Sequence, residues 1–75
     1  MGKAGKALRQ ALANHDIRQN RLAVTMRVGR STIHQWHKEA SDPSAEAVTR
    51  IVDALEKINP EAAKDFISLY LGRKF

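Results

Sequence analysis

The apolar residues of this chain recur every three or four positions, and no stretch of useful length alternates as a strand would. The clearest stripe consists of Val48, Ile51, Val52, Leu55 and Ile58. Residues at this spacing share one face of an α-helix, because the helix completes a turn about every 3.6 residues. The sequence therefore predicts an all-α fold.

Turn and capping residues divide the chain into five short helices. Ser44 is a predicted N-cap for the helix that carries the stripe, and Asn59-Pro60 predicts the start of the last helix. Gly72 predicts the end of that helix, and Asp16 is predicted to cap the second one. The first three helices are expected over about residues 3–14, 19–26 and 30–38, and the last over about 60–71.

The length of the chain limits it to one domain. With 75 residues it can bury a single modest core, so residues 1–75 are expected to fold as one unit. The chain has no cysteine, which excludes disulfides, thiolate zinc sites and thiol nucleophiles, and favours a reducing compartment. No apolar run approaches the roughly 20 residues that span a bilayer. We expect a soluble, cytoplasmic protein.

The net charge of +5 is distributed unevenly along the chain. Residues 1–38 contain eight Lys and Arg residues and one acid, a balance of +7, whereas residues 39–75 contain five bases and seven acids, a balance of −2. The three histidines, His15, His34 and His37, also belong to the basic half. A polyanionic partner would therefore meet residues 1–38 first.

The segment VGRSTIHQWH, residues 28–37, combines apolar and hydrogen-bonding residues on one short helix. On a helical wheel Ile33, Trp36 and His37 share the side that would face a core. The opposite side and its flanks carry polar groups that suit the major groove of DNA: Ser31, Gln35 and Lys38, flanked by Thr32 and His34. The same residues would also fit an ordinary solvated helix face.

The longer segment RQNRLAVTMRVGRSTIHQWH, residues 18–37, resembles the helix-turn-helix of phage-repressor-like regulators of the Cro and repressor type. Gln19 would open the first helix, Leu22-Ala23 would pack it, and Ile33 and Trp36 would seat the second. The resemblance covers about residues 5–58 and includes Leu8-Arg9, Pro43, Ile51-Val52 and Ala54-Leu55. It implies a lambda-repressor-like domain of five helices.

The resemblance also implies a function, namely that of a transcriptional regulator that binds specific sequences in double-stranded DNA. The recognition helix, about 30–38, would enter the major groove. Arg30, Ser31 and Gln35 would contact base edges, although Arg30 lies nearer the core side and could hold a phosphate instead. The backbone or peripheral contacts would be Gln19, Arg27, Thr32, His34 and Lys38.

Three positions depart from the family pattern. Arg27 stands where glycine is frequent, and a positive φ there would cost about 1 kcal/mol. Gly29 replaces the usual Ser or Thr cap of the recognition helix, at a cost of a few tenths of a kcal/mol. His37 replaces a frequent glutamate, so the partner of that acid must be accommodated differently.

The last helix carries more apolar residues than one core face requires. We expect its outer side, with Phe66, Leu69 and Tyr70, to form a homodimer contact, and the alternative is that it packs more fully on its own domain. A two-fold dimer would present two recognition helices about 34 Å apart, one turn of DNA.

Other functions find less support in the sequence. The main alternative is a protein-interaction module on the same fold, antitoxin-like or coactivator-like, that uses the last helix. No nucleophile–base pair or paired carboxylates predict an enzyme, and no cofactor is expected. His34, His37 and Glu39 fall short of the four ligands of a closed zinc site, so no metal is expected either. The opening GKAGKA lacks the spacing of a phosphate-binding loop.

Overall fold

The computed structural model describes residues 3–38 and 41–72, which contain five α-helices and no strand. They are α1 (Lys3–Asn14), α2 (Gln19–Met26), α3 (Arg30–His37), α4 (Ala45–Ile58) and α5 (Pro60–Leu71). The predicted all-α class is confirmed, and the predicted helix bounds agree to within a residue. None of these helices has both the length and the apolar character needed to cross a membrane.

The predicted caps of α4 and α5 are present. Ser44 Oγ accepts a hydrogen bond from the backbone N–H of Ala47 at 3.1 Å, and Asn59 Oδ1 accepts one from the N–H of Glu61 at 3.0 Å. Each bond satisfies an N–H group that has no partner within its helix. Gly72 ends α5 in the left-handed region, with φ of 70°.

The prediction that Asp16 caps α2 is wrong. Asp16 has a φ of 54° and belongs to the turn that ends α1, where the N–H of Ile17 reaches back to the carbonyl of Leu12 at 2.9 Å. Aspartate is one of the few residues besides glycine that enter the left-handed region readily. The residue that caps α2 is Arg18, and its side chain makes no capping hydrogen bond.

All five helices contribute side chains to one core. α5 packs against α1 and α4, and α2 packs against α3 and α4. The largest fully buried side chains are Leu8, Leu22, Ile33, Ile51, Leu55 and Phe66. Because every helix supplies at least one of them, the described residues form one folded unit.

The structure corrects the predicted outer side of α5. Phe66 is 0% exposed and belongs to the core, so it cannot contribute to a contact with another molecule. Tyr70 is half-buried and stacks on Phe66, with 6.0 Å between ring centroids. The exposed apolar residues of α5 are Leu69 and Leu71, at 40% and 50%.

A polar cluster joins the end of α1 to α5. Asn14 donates a hydrogen bond from Nδ2 to Asp65 Oδ2 at 2.8 Å, and His15 Nε2 lies 3.3 Å from the same oxygen. At the other end of α1, the N–H of Gly5 donates to Asp42 Oδ1 at 3.1 Å. Both ends of α1 are therefore held by carboxylates that lie far away in the sequence.

The buried position of Trp36, which is 8% exposed, predicts a large effect on stability. We expect Trp36→Ala to lower the free energy of unfolding by about 3 to 5 kcal/mol, because it removes a large core side chain and leaves a cavity. Gln35→Ala is the matched control on the exposed side and should change it by less than about 0.5 kcal/mol. Urea titrations followed by circular dichroism measure both. Equal midpoints for Trp36→Ala and wild type would refute this assignment of faces.

Candidate nucleic-acid interface

Helices α2 and α3 are joined by the short connection Arg27–Gly29 and pack against each other. Leu22 and Ala23 of α2 and Ile33 and Trp36 of α3 are buried in the same cluster. Ala23 is 1% exposed, and its small side chain suits the close approach of two helices. The position of α3 on the domain therefore depends on these few apolar contacts.

The connection turns sharply at Arg27, which has φ of 59° and ψ of 44°. The backbone N–H of Arg27 donates a hydrogen bond to the carbonyl of Val24 at 3.2 Å, and the N–H of Val28 donates one to the carbonyl of Ala23 at 3.1 Å. The structure has the positive φ at Arg27 on which the cost predicted from the sequence depended. An arginine in this conformation costs about 1 kcal/mol relative to glycine.

A second arginine stabilises the same turn from α4. Arg50 donates a hydrogen bond from Nη2 to the carbonyl oxygen of Met26 at 2.7 Å. A cation at the C-terminus of a helix is favourable, because the last carbonyls carry partial negative charge and lack partners within the helix. This role of Arg50 has no signal in the sequence, since no local pattern shows that a residue 24 positions away reaches the turn.

Helix α3 separates its side chains into a buried and an exposed side, as the helical wheel predicts. Ile33 and Trp36 are buried and His37 is half-buried. The predicted contact residues on the other sides are all exposed: Arg30, Ser31, Thr32, His34, Gln35 and Lys38. Among the residues that the structure describes, the side chains of Ser31 and Gln35 make no hydrogen bond, so both can bond to a partner.

Gly29 precedes α3 as its N-cap, with φ of −69°, and supplies no side-chain cap. The backbone N–H of Thr32 in the first turn bonds to the carbonyl of Gly29 at 3.1 Å. A Cβ at this position would meet only Ser31 Oγ, at 3.7 Å, which is an ordinary contact. Neither backbone angle nor space requires glycine here.

The predicted phosphate-contacting residue Gln19 lies in a basic groove between α1, α2 and α3. The groove has a volume of about 370 Å³ and is lined by Arg9, Leu12, Ala13, Asp16, Ile17, Arg18, Gln19 and His37. Arg9 and Arg18 are exposed and were not singled out as contact residues from the sequence. The only sequence signal for them was the positive charge of residues 1–38.

The surroundings of His37 favour its neutral form. Burial of the imidazole, followed by the positive charges of Arg9 and His34, lowers the pKa of His37 below its ordinary value of 6.5. The imidazole of His37 near Arg9 places no negative charge on this side of the domain.

The lowered pKa of His37 predicts a pH dependence of stability. Between the lowered pKa and 6.5, His37 binds a proton more readily in the unfolded chain than in the folded one. The free energy of unfolding therefore has its full His37 contribution above pH 6.5 and loses it as pH falls through the lowered pKa. We expect the unfolding midpoint of wild type to fall more than that of His37→Gln between about pH 7.5 and about pH 5. The two proteins differ only at residue 37, so a difference between their pH dependences is attributed to His37. Parallel curves would contradict the expectation.

Comparison of the chain with known protein families, curated proteins and solved structures gives no match. The function must therefore be inferred from the site itself. Of the residues considered for a metal site, Glu39 lies outside the described residues. The remaining two, His34 and His37, belong to no cluster of three or more His, Cys, Asp or Glu side chains among the described residues.

Proposed function

We propose that this protein binds specific sequences in double-stranded DNA as a transcriptional regulator, with α2 and α3 as a helix-turn-helix in a lambda-repressor-like domain. One observation carries the proposal. Helix α3 is anchored by Ile33 and Trp36, while its opposite side presents Ser31 and Gln35 to solvent. An anchored helix with an exposed polar side fits the width of the major groove, about 12 Å.

The exposed side of α3 carries the chemistry of base recognition. Gln35 can bond an adenine through two atoms at once, and the Ser31 hydroxyl can donate to or accept from a base edge. Arg30 lies at the exposed start of α3, where it can reach a guanine or a phosphate. These three residues are the proposed source of sequence preference.

Other residues around α3 would bind the DNA backbone. Arg27 and Lys38 are exposed at the two ends of the helix, and Thr32 and His34 flank it. Gln19 lies in the groove with Arg9 and Arg18, where two guanidinium groups favour a phosphate. Such contacts position the protein and make its affinity fall with salt, because bound cations on the DNA are released.

The proposal predicts that the exposed side of α3 determines sequence preference. A binding site is first selected from random duplexes, and affinities are then measured by fluorescence anisotropy. Ser31→Ala and Gln35→Ala should each weaken binding to the selected site by about 1 to 3 kcal/mol, and leave binding to unrelated duplexes nearly unchanged. Gln10→Ala on α1 is the matched control and should bind as wild type. Wild-type affinity of Gln35→Ala would contradict the proposal.

Arg27→Gly serves as a contrasting variant in the same experiment. Loss of the proposed phosphate contact should weaken binding to all duplexes alike and reduce the slope of affinity against salt by about one. Relief of the left-handed conformation should at the same time raise the free energy of unfolding, by up to about 1 kcal/mol. A more stable protein that binds DNA less tightly is thus the expected result.

The proposed homodimer keeps Tyr70 of the contact predicted from the sequence and replaces Phe66 and Leu69 by Leu71, on the side of α5 that faces away from α1. Leu71 is 50% exposed there, and Leu69 lies about 160° around the helix from it, on the side of α1. A two-fold contact at Leu71 and the exposed part of Tyr70 keeps the cations of α1 apart. A dimer would present two α3 helices to half-sites one turn of DNA apart.

Sedimentation velocity tests the dimer. With a duplex that carries two half-sites spaced by about one turn, we expect two chains to bind cooperatively, and Leu71→Asp to abolish the cooperativity while a single half-site is still bound. A monomer at high micromolar concentration, both free and on such a duplex, would exclude the dimer.

A further inference from the structure

A second groove lies between α1 and α5, on a different part of the surface from Ser31 and Gln35. It has a volume of about 310 Å³ and is lined by Lys3, Lys6, Ala7, Arg9, Gln10 and Leu69. Ala7 is 4% exposed, whereas Leu69 keeps 40% of its surface exposed beside it. The groove therefore combines an apolar floor with a polar rim.

The rim of this groove has charge of one sign. Three of its six lining residues, Lys3, Lys6 and Arg9, are cations, and none is an acid. Asp65, which lies one helical turn before Leu69 on α5, bonds to Asn14 and approaches His15 at the far end of α1. The carboxylate nearest to Leu69 along that side of α5 is thus engaged elsewhere.

We infer that this α1–α5 groove is a docking site for an acidic segment of another protein. The segment inserts an apolar side chain against Leu69 and Ala7 and places carboxylates beside Lys3 and Lys6. Burial of the exposed part of Leu69 contributes a favourable free energy of binding that has no directional preference. The opposite charges orient the segment and accelerate its association. Exposed apolar surface with a polar rim is the usual composition of a protein contact.

Two other occupants fit the groove less well. A DNA backbone would match the cations but would offer Leu69 no apolar partner. A second copy, related by a two-fold axis through the groove, would bring Lys3, Lys6 and Arg9 towards their own counterparts, and such like-charge contacts are unfavourable. An acidic segment with one large apolar residue satisfies both the floor and the rim.

Peptide titration of the isotope-labelled 75-residue chain tests the inference by nuclear magnetic resonance. The probe is a synthetic peptide of about twelve residues in which one phenylalanine is flanked by glutamates at i±3 and i±4. We expect shifts of the amides of Lys6, Ala7, Gln10 and Leu69, and an affinity that falls with salt. The same peptide with lysines in place of the glutamates should not bind.

Matched variants locate the contact. Leu69→Ser and Lys6→Glu should each weaken peptide binding about tenfold or more. Val24→Ser, an equivalent change at an exposed position of α2, and Lys57→Glu, an equivalent charge change on α4, should alter it by less than about twofold. Because Lys6, Leu69, Lys57 and Val24 are all exposed, the variants should keep the wild-type spectrum of a folded protein.

Several outcomes would overturn the inference. They are the absence of shifts at millimolar peptide, shifts confined to α3, wild-type affinity of Leu69→Ser, and equal binding of the lysine peptide. Concentration-dependent shifts at the groove without peptide would identify a second copy as the occupant. Since the groove excludes Ser31 and Gln35, Gln35→Ala should keep peptide binding, so failure of DNA recognition and failure of docking are distinguishable.

Discussion

The burial of Ile33 and Trp36 is the contact on which the proposed interface depends. Helix α3 has only eight residues, and a helix of that length is not stable in isolation. It therefore holds its shape because two apolar side chains are fixed in the common core. The same two contacts set its rotation about its own axis, and this rotation leaves Ser31 and Gln35 exposed. Stability and the proposed recognition thus come from opposite sides of one helix.

The turn before α3 carries backbone strain next to the proposed DNA contacts. Arg27 adopts a left-handed conformation that glycine would adopt at lower cost, and Arg50 bonds to the carbonyl of Met26 immediately before it. If Arg27 binds a phosphate, arginine is the better residue at this position for DNA binding, whereas glycine is the better residue for the turn. A proposed function therefore gives a physical reason for an unfavourable side chain at this position.

Four of the eight cations of residues 1–38 line two neighbouring grooves: Arg18 lines one, Lys3 and Lys6 line the other, and Arg9 lines both. One groove contains Gln19 and adjoins the proposed DNA surface, whereas the other has an apolar floor with Leu69. Charge alone does not distinguish a nucleic acid from an acidic protein, since both are polyanions. The two partners differ in apolar surface, because a phosphate backbone offers none to an exposed leucine, whereas a protein segment can.

The sequence by itself determined the five helices and the buried side of α3. Caps such as Ser44 and Asn59 act on N–H groups two or three residues away, and the spacing of Ile33 and Trp36 defines the buried side of α3, so these features are local. Only the tertiary structure decided that Phe66 is buried while Leu69 stays exposed, because a helical pattern does not show which neighbour covers a face. The same holds for Arg50 at Met26 and Asp42 at Gly5, which are separated by 24 and 37 residues. Such contacts depend on how the helices pack together, and no short stretch of sequence contains that information.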